Sequence, residues 1–262
     1  MQLVERPRLE LSGPKLKLAL ESLIARAEEQ GGVEAFVAGL KIKSALFREA
    51  FSSGLELKNF RVLCAHMPTV RRRIGDYAQP EAFSGLKSKI EKLFSKGENS
   101  DARIAEFCAA FPVDREHRWV RDLAAELLHY SDPERYPLMA RWVWDARTNT
   151  GVLREIWHDE NVDHIRIEVP DAYDTFLTLR EELAQYLAAN GVYRDVLFYV
   201  DVLCAQVYAE YIGERGGTYL RADFATPEDP MLHTRRILGL DGVSNEGKTR
   251  LKAPDGRAEV VQ

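Results

Sequence analysis

The sequence contains few cysteines, three among 262 residues. Cys64, Cys108 and Cys204 are an odd number and far apart, which argues against the complete disulfide framework of a small secreted protein. Each lies in an apolar segment: RVLCAHM, AEFCAAF and DVLCAQV. We therefore predict mostly buried free thiols in a reducing compartment, which favours a cytoplasmic location.

Long hydrophobic runs are also missing. The N-terminal residues MQLVERPRLELSGPK carry charges where a secretory signal needs an apolar stretch. No stretch approaches the roughly 18 uninterrupted apolar residues typical of a membrane-spanning helix. The sequence therefore predicts a cytoplasmic protein without membrane contact.

Charge of one sign is not in large excess. The chain has 36 Lys and Arg against 41 Asp and Glu, a net charge of -5. That balance does not favour extended contact with a nucleic acid backbone. Nucleic acid is therefore a less favoured partner than protein.

Common nucleotide and metal motifs are absent as well. There is no G-x-x-x-x-G-K-[ST] phosphate loop, no strand-bound G-x-G-x-x-G and no Cys/His zinc spacing. Catalytic triads leave no such motif, because their members meet only in space. Whether the protein is an enzyme therefore stays open, and any cofactor is unknown.

What the sequence does contain is a succession of segments with helical spacing. Ser12 and Pro14 are typical of a helix start, and approximately spaced leucines follow them. Residues 162–169, which alternate polar and apolar side chains, are the best strand candidate. We predict a mainly α protein. It would be a multi-helix globular array with at most one or two short strands near 162–169 and a loop-rich C-terminal segment.

A polar segment, KGENSD at residues 96–101, is the most linker-like stretch of the first half. It divides the predicted chain into an N-terminal helical subdomain, 1–97, and a central and C-terminal helical domain with a Trp-rich core, 98–240. Residues 241–262 are rich in Gly, Lys, Asp and Ser, which is typical of a solvated tail. We predict that this tail is flexible.

All four tryptophans lie between His117 and His158. Trp142 and Trp144 fall in a helix predicted from Pro137 to about Arg147. Two residues apart on a helix, their side chains diverge by about 200°. Either the helix is buried on nearly all sides, which is the favoured interpretation, or one tryptophan is presented to a partner. The predicted partner-binding residues are Trp142, Trp144, Trp157 and Tyr136.

Two Glu-x-x-His spacings indicate a metal site. Glu126 precedes His129, and Glu155 precedes His158, by three residues. Residues at i and i+3 share a helix face, and helical di-iron carboxylate sites use two such pairs with two further glutamates. The first pair also fits an ordinary solvated salt-bridge face, the interpretation that the charges around it favour.

Clustered arginines are the third candidate site. Arg71, Arg72 and Arg73 follow one another near a predicted helix start, and Arg235 and Arg236 form a second group. Guanidinium groups near a helix N-terminus bind phosphate or a nucleic acid backbone. A structural or solubility role is the alternative, because consecutive residues point in different directions around a helix.

The missing motifs and concentrated aromatics favour a non-enzymatic cytoplasmic helical protein that acts through protein–protein interaction, as an adaptor, assembly factor or regulator. One alternative is a metal-dependent enzyme using the Glu/His pairs. The other is a nucleic-acid-binding protein using the arginines.

Overall fold

Most of the described residues lie in helices, which confirms the mainly α prediction. The computed structural model describes residues 6–95, 99–159, 161–162, 164–216 and 231–241, with the side chains of 214–216 excepted. Within those residues lie ten α-helices. They are α1 (Gly13–Ala27), α2 (Val33–Ser52), α3 (Leu57–Ala65), α4 (Pro80–Leu93), α5 (Ser100–Ala109), α6 (Trp119–Ser131), α7 (Val152–Glu155), α8 (Tyr173–Ala189), α9 (Val196–Gly216) and α10 (Leu232–Ile237).

Two compact units divide the chain. Unit 1 consists of Met1–Ala38 and Arg141–Ile237, and unit 2 of Gly39–Ala140 and Leu238–Gln262. The domain boundary predicted after residue 97 stays a prediction, and residues 96–98 lie outside the described part of the chain. The predicted flexible tail also lies outside it, except for its first residue, Asp241.

Helix α9 is the centre of unit 1, and α1, α7, α8 and α10 each pack against it. Residues 201–207 of α9 are all buried, as expected of a helix with neighbours on most sides. Gln206, on this stretch, donates to Oε1 of Glu210 at 3.0 Å and accepts from Oγ1 of Thr234 at 2.8 Å. These bonds give a buried amide the partners it needs in an apolar environment.

The helix predicted over residues 137–147 is wrong, because these residues form turns and irregular backbone. Oδ1 of Asp145 accepts hydrogen bonds from the backbone N–H groups of Arg147 and Thr148 at 3.1 and 3.2 Å. Asp145 and Thr150 also exchange backbone hydrogen bonds. Such local bonds give the backbone partners that compete with those of a helix.

A close backbone approach fixes the same loop against α7. The carbonyls of Trp142 and Val143 accept from the N–H groups of Val152 and Leu153, both at 3.1 Å. Gly151 permits this contact, since it has a φ of 124° and a Cβ there would lie 2.7 Å from the Val143 carbonyl oxygen. The backbone of Trp142 is thereby held at the N-terminus of α7.

Among the described residues, the segment 164–169 has no strand partner, so the strand expected near 162–169 is not found there. The β-bridges found in the described residues are two isolated ones, at other positions. A side chain takes the place of a neighbouring strand: Nδ2 of Asn149 donates to the Ile165 carbonyl at 3.0 Å, and its Oδ1 accepts from the Ile167 N–H at 3.1 Å. The alternating polar and apolar pattern therefore lies in a segment whose backbone is hydrogen-bonded to the side chain of Asn149.

Helix α6 lies in the core of unit 2, where residues 122–130 are all buried. Helix α5 packs against both α6 and α4. Phe47 of α2 packs on Tyr130 of α6 with ring centroids 5.4 Å apart, and Oγ of Ser44 donates to the Tyr130 carbonyl at 2.8 Å. These contacts join α2 to α6 through both apolar and polar groups.

Candidate functional site

Three of the four tryptophans belong to the interior. Trp144 is 0% exposed, and its indole Nε1–H donates to the Val169 carbonyl at 3.0 Å. Trp119, in unit 2, and Trp157, in unit 1, are also buried. Trp142 is the one that remains partly exposed. Core packing, the interpretation favoured from sequence, therefore describes Trp144 and Trp157, and Trp142 is the candidate for a partner contact.

Trp142 belongs to a group of three partly exposed aromatic rings on unit 1, called here the aromatic surface. Its ring centroid lies 5.7 Å from that of Tyr208, which lies 5.9 Å from that of Tyr211. Tyr208 and Tyr211 are three residues apart on α9 and so share one face of that helix. The anchored turn beside α7 brings Trp142 to this face.

The rings of the aromatic surface pack against one another within unit 1. Their interplanar angles are 39° and 31°, so each ring is tilted against its neighbour and restricted by it. Pre-ordered side chains lose less conformational entropy on binding than free ones. Tyr and Trp also combine a large apolar area with a polar group, and both are enriched at protein interfaces.

Tyr136, also predicted to contact a partner, is instead buried in unit 2. Its hydroxyl accepts from Nη2 of Arg103 at 3.0 Å, and its carbonyl lies 2.8 Å from Nδ1 of His129. Because a carbonyl only accepts, His129 carries a proton on Nδ1. Tyr136 therefore joins α5 to α6.

The predicted metal ligands are divided between the two units. Glu126 and His129 lie on α6 in unit 2, whereas Glu155 and His158 lie in unit 1. In the part of the chain that the structure describes, no group of three or more His, Cys, Asp or Glu is placed to hold a metal ion. The alternative interpretation of the first pair, a solvated salt-bridge face, is wrong, because Asp122, Glu126 and His129 are all buried.

Glu126 is bound to a lysine instead. The ammonium of Lys43, which is 1% exposed, lies 3.0 Å from Oε2 of Glu126 and 3.8 Å from the ring centroid of Tyr130. It also donates to the Leu238 carbonyl at 3.0 Å. Burial raises the pKa of Glu126, and the Lys43 charge and hydrogen bond oppose that shift. This buried pair ties α2 to α6.

The arginine cluster is divided by burial. Arg71 is buried, and its guanidinium forms a two-pronged ion pair with Asp241, with N···O distances of 2.8 and 3.3 Å. Arg72 and Arg73 are exposed, and Arg73 lies 3.9 Å from a carboxylate oxygen of Glu116. Arg71 therefore already has an anion within the chain, and a phosphate-binding role remains a prediction for its two neighbours.

The second arginine group, on α10, is half-buried in unit 1. Nη2 of Arg235 donates to Oε1 of Gln30 at 2.9 Å, and its guanidinium carbon lies 5.1 Å from the ring centroid of Phe36. These contacts give Arg235 a packing role within unit 1. They add no support to a nucleic acid contact there.

Sequence reasoning missed the buried lysine, although a signal for it is present. Phe36, Leu40 and Phe47 lie at i, i+4 and i+11 on one apolar stripe of α2, and Lys43 at i+7 belongs to the same stripe. A charged residue on an apolar stripe indicates a buried partner elsewhere in the chain. No local pattern identifies that partner as Glu126, 83 residues away.

One described helix is long and apolar enough to cross a membrane by length and composition alone. It is the Val196–Gly213 part of α9, with a mean hydropathy of 1.3 and half of its residues buried inside the protein. Core helices of soluble proteins have the same properties, and α9 is the central helix of unit 1. The expected lack of membrane contact stays a prediction.

Comparison with known proteins returns no match from protein-family models, from curated proteins or from solved structures.

Proposed function

We propose that the protein acts by binding another protein through the aromatic surface formed by Trp142, Tyr208 and Tyr211. The observation that carries this proposal is the packing of three partly exposed rings side by side on one unit. An adaptor, assembly factor or regulator needs such a contact and no catalytic group. The three buried candidates, Trp144, Trp157 and Tyr136, stabilise the two units rather than contact the partner.

Trp142 is expected to be the main energetic contact. Interface residues whose truncation costs at least about 2 kcal/mol are enriched in Trp and Tyr and lie near the centre of the contact. A loss of that size weakens binding roughly 30-fold. Truncating Trp142 should therefore remove the partner at concentrations where the unaltered protein holds it.

The experiment compares two matched aromatic truncations. Tagged full-length protein and its Trp142→Ala variant are purified from the native host at low salt, and co-purifying proteins are quantified by mass spectrometry. Tyr193→Ala is the control, because Tyr193 is 76% exposed and lies outside the aromatic surface. The expected result is one near-stoichiometric partner that Trp142→Ala loses and Tyr193→Ala retains.

Two results would contradict the proposal. One is that unaltered protein purifies without any stoichiometric partner. The other is that Trp142→Ala and Tyr211→Ala each retain the partner in full. Thermal unfolding of each variant checks that a lost partner reflects the surface and not a loss of folding.

A further inference from the structure

The segment Leu238–Asp241, with the sequence Leu-Gly-Leu-Asp, belongs to unit 2 and packs along its whole length on other residues of that unit. Leu238 is buried, and the side chain of Leu240 packs on Gly39, where a Cβ would lie 3.2 Å from its methyl groups. The carboxylate of Asp241 pairs with Arg71. The side chains of Leu238, Leu240 and Asp241 are therefore all held by contacts within unit 2.

Gly239 gives the segment its most restrictive requirement. It has a φ of 71°, and a Cβ at this position would lie 1.8 Å from the backbone carbonyl oxygen of His66 and 3.2 Å from Nζ of Lys43. The nearest atom belongs to the backbone of His66, so the movement of a flexible side chain cannot relieve this clash. The site therefore accepts glycine at this place and excludes residues with a Cβ.

Three other side chains of unit 2 form hydrogen bonds with three of the four residues of the segment, Leu238, Gly239 and Asp241. Nζ of Lys43 donates to the Leu238 carbonyl at 3.0 Å, and Nδ1 of His66 donates to the Gly239 carbonyl at 3.2 Å. The guanidinium of Arg71 holds the Asp241 carboxylate with two nitrogens. The segment thus presents two main-chain carbonyl acceptors and one carboxylate to these side chains. Proteins recognise short acidic peptides through groups of this kind.

Two of the three donors, Lys43 and Arg71, also have partners outside the segment. Glu126 holds the ammonium of Lys43, and the backbone carbonyl of Ala65 accepts from Nη1 of Arg71 at 3.3 Å. Lys43 lies within α2, and His66 directly follows α3. The donors therefore lie on or beside helices that form part of unit 2, as expected of a largely pre-formed binding site.

We propose that Lys43, His66 and Arg71 form a recognition site for peptides of the pattern apolar-Gly-apolar-Asp, occupied in cis by Leu238–Asp241. A partner segment with this pattern competes for the site. The resident segment belongs to the same chain and directly follows α10, so it acts as an intramolecular competitor for that partner segment. This site shares no residue with the aromatic surface and does not depend on the proposed function.

The test measures binding of a fluorescent peptide, RILGLDG, to full-length protein. Gly239→Val displaces the resident segment by the backbone clash but leaves Lys43, His66 and Arg71 unchanged. The expected result is that the Gly239→Val chain binds the peptide at least 10-fold more tightly than the unaltered chain does. It should also bind RILGLDG at least 10-fold more tightly than RILGLNG, because asparagine lacks the charge that Arg71 pairs with.

Adding Arg71→Gln to the Gly239→Val chain should remove the preference for the Asp peptide. Adding Trp142→Ala instead should leave peptide affinity unchanged, which separates this site from the aromatic surface. A folded Gly239→Val chain that binds neither peptide, or binds both equally, overturns the proposal. If that chain does not fold, Asp241→Asn, which keeps the glycine, is tested with the same two peptides, and equal affinity there overturns it as well.

Discussion

The two units differ in what they bury. Unit 2 buries three cationic side chains, Lys43, Arg71 and Arg103, whereas the described residues of unit 1 include no buried Lys or Arg. Unit 1 has its α9-centred core and a partly exposed set of aromatic rings. A buried cation is favourable only with a well-placed partner, so unit 2 depends on the pairing of these cations in addition to an apolar core of the kind that both units have.

The first way to break the comparison is to remove apolar volume from unit 1. Trp144→Ala leaves a large cavity and a Val169 carbonyl without its indole donor. We expect the free energy of unfolding to fall by about 5 kcal/mol. Denaturant unfolding measures this, with Trp142→Ala as the matched control, and equal losses for the two variants would contradict the assignment of Trp144 to the core.

The second is to remove charge from unit 2. Lys43→Met leaves Glu126 buried without its cation, which should cost about 4 kcal/mol. The double variant Lys43→Met with Glu126→Met should recover a large part of that loss, since no charge is left unpaired. Lys17→Met, at an exposed position, is the control. A Lys43→Met chain as stable as the control would show that the buried pair does not form.

The third is acid. Burial, aided by the charges of Lys43 and Arg71, lowers the pKa of His66 from 6.5 to about 4, against the opposing effects of the Gly239 carbonyl and Asp241. Above pH 6.5 both folded and unfolded chains hold a neutral imidazole, so this group leaves stability unchanged there. As the pH falls from 6.5 to 4, the unfolded chain takes up the proton first, and stability drops by up to about 3 kcal/mol.

His66→Asn should therefore flatten the dependence of unfolding free energy on pH between 7 and 4. The comparison with unaltered protein cancels the contributions of other titrating groups. Parallel curves for the two proteins would show that His66 does not titrate with a lowered pKa.

The smallest expected effect concerns the exposed arginines. Arg73 and Glu116 form a solvent-exposed pair with an N···O distance of 3.9 Å. Arg73→Gln should change the free energy of unfolding by no more than about 0.5 kcal/mol. A loss above 2 kcal/mol would remove the contrast between Arg73 and its buried neighbour Arg71.

Periodicity and capping patterns predicted most of the helices, the one expected over residues 137–147 excepted. The Oγ of Ser12 accepts from the N–H of Lys15 at the start of α1, as the Ser12 and Pro14 pattern predicts. Patterns of this kind depend on neighbouring residues alone, so one sequence contains all the information they need. The mainly α fold follows from them.

Predictions failed where side chains bind the backbone over a distance or in a turn. The Asp145 carboxylate replaced a predicted helix by turns, and Asn149 took the place of a strand partner for residues 162–169. The pairing of Arg71 with Asp241 joins residues 170 apart. The Asp145 contacts are local and compete with the helix that the same residues predict. The pairing of Arg71 with Asp241 forms only after the chain has folded, and no spacing rule identifies it beforehand.

The most direct test of the proposed function is the affinity of the co-purified partner for unaltered protein and for Trp142→Ala, each measured by calorimetry with Tyr193→Ala as control. The aromatic surface predicts a Kd raised about 30-fold by Trp142→Ala. It predicts an unchanged Kd for Tyr193→Ala. Equal affinities of the partner for all three proteins would contradict protein binding through Trp142.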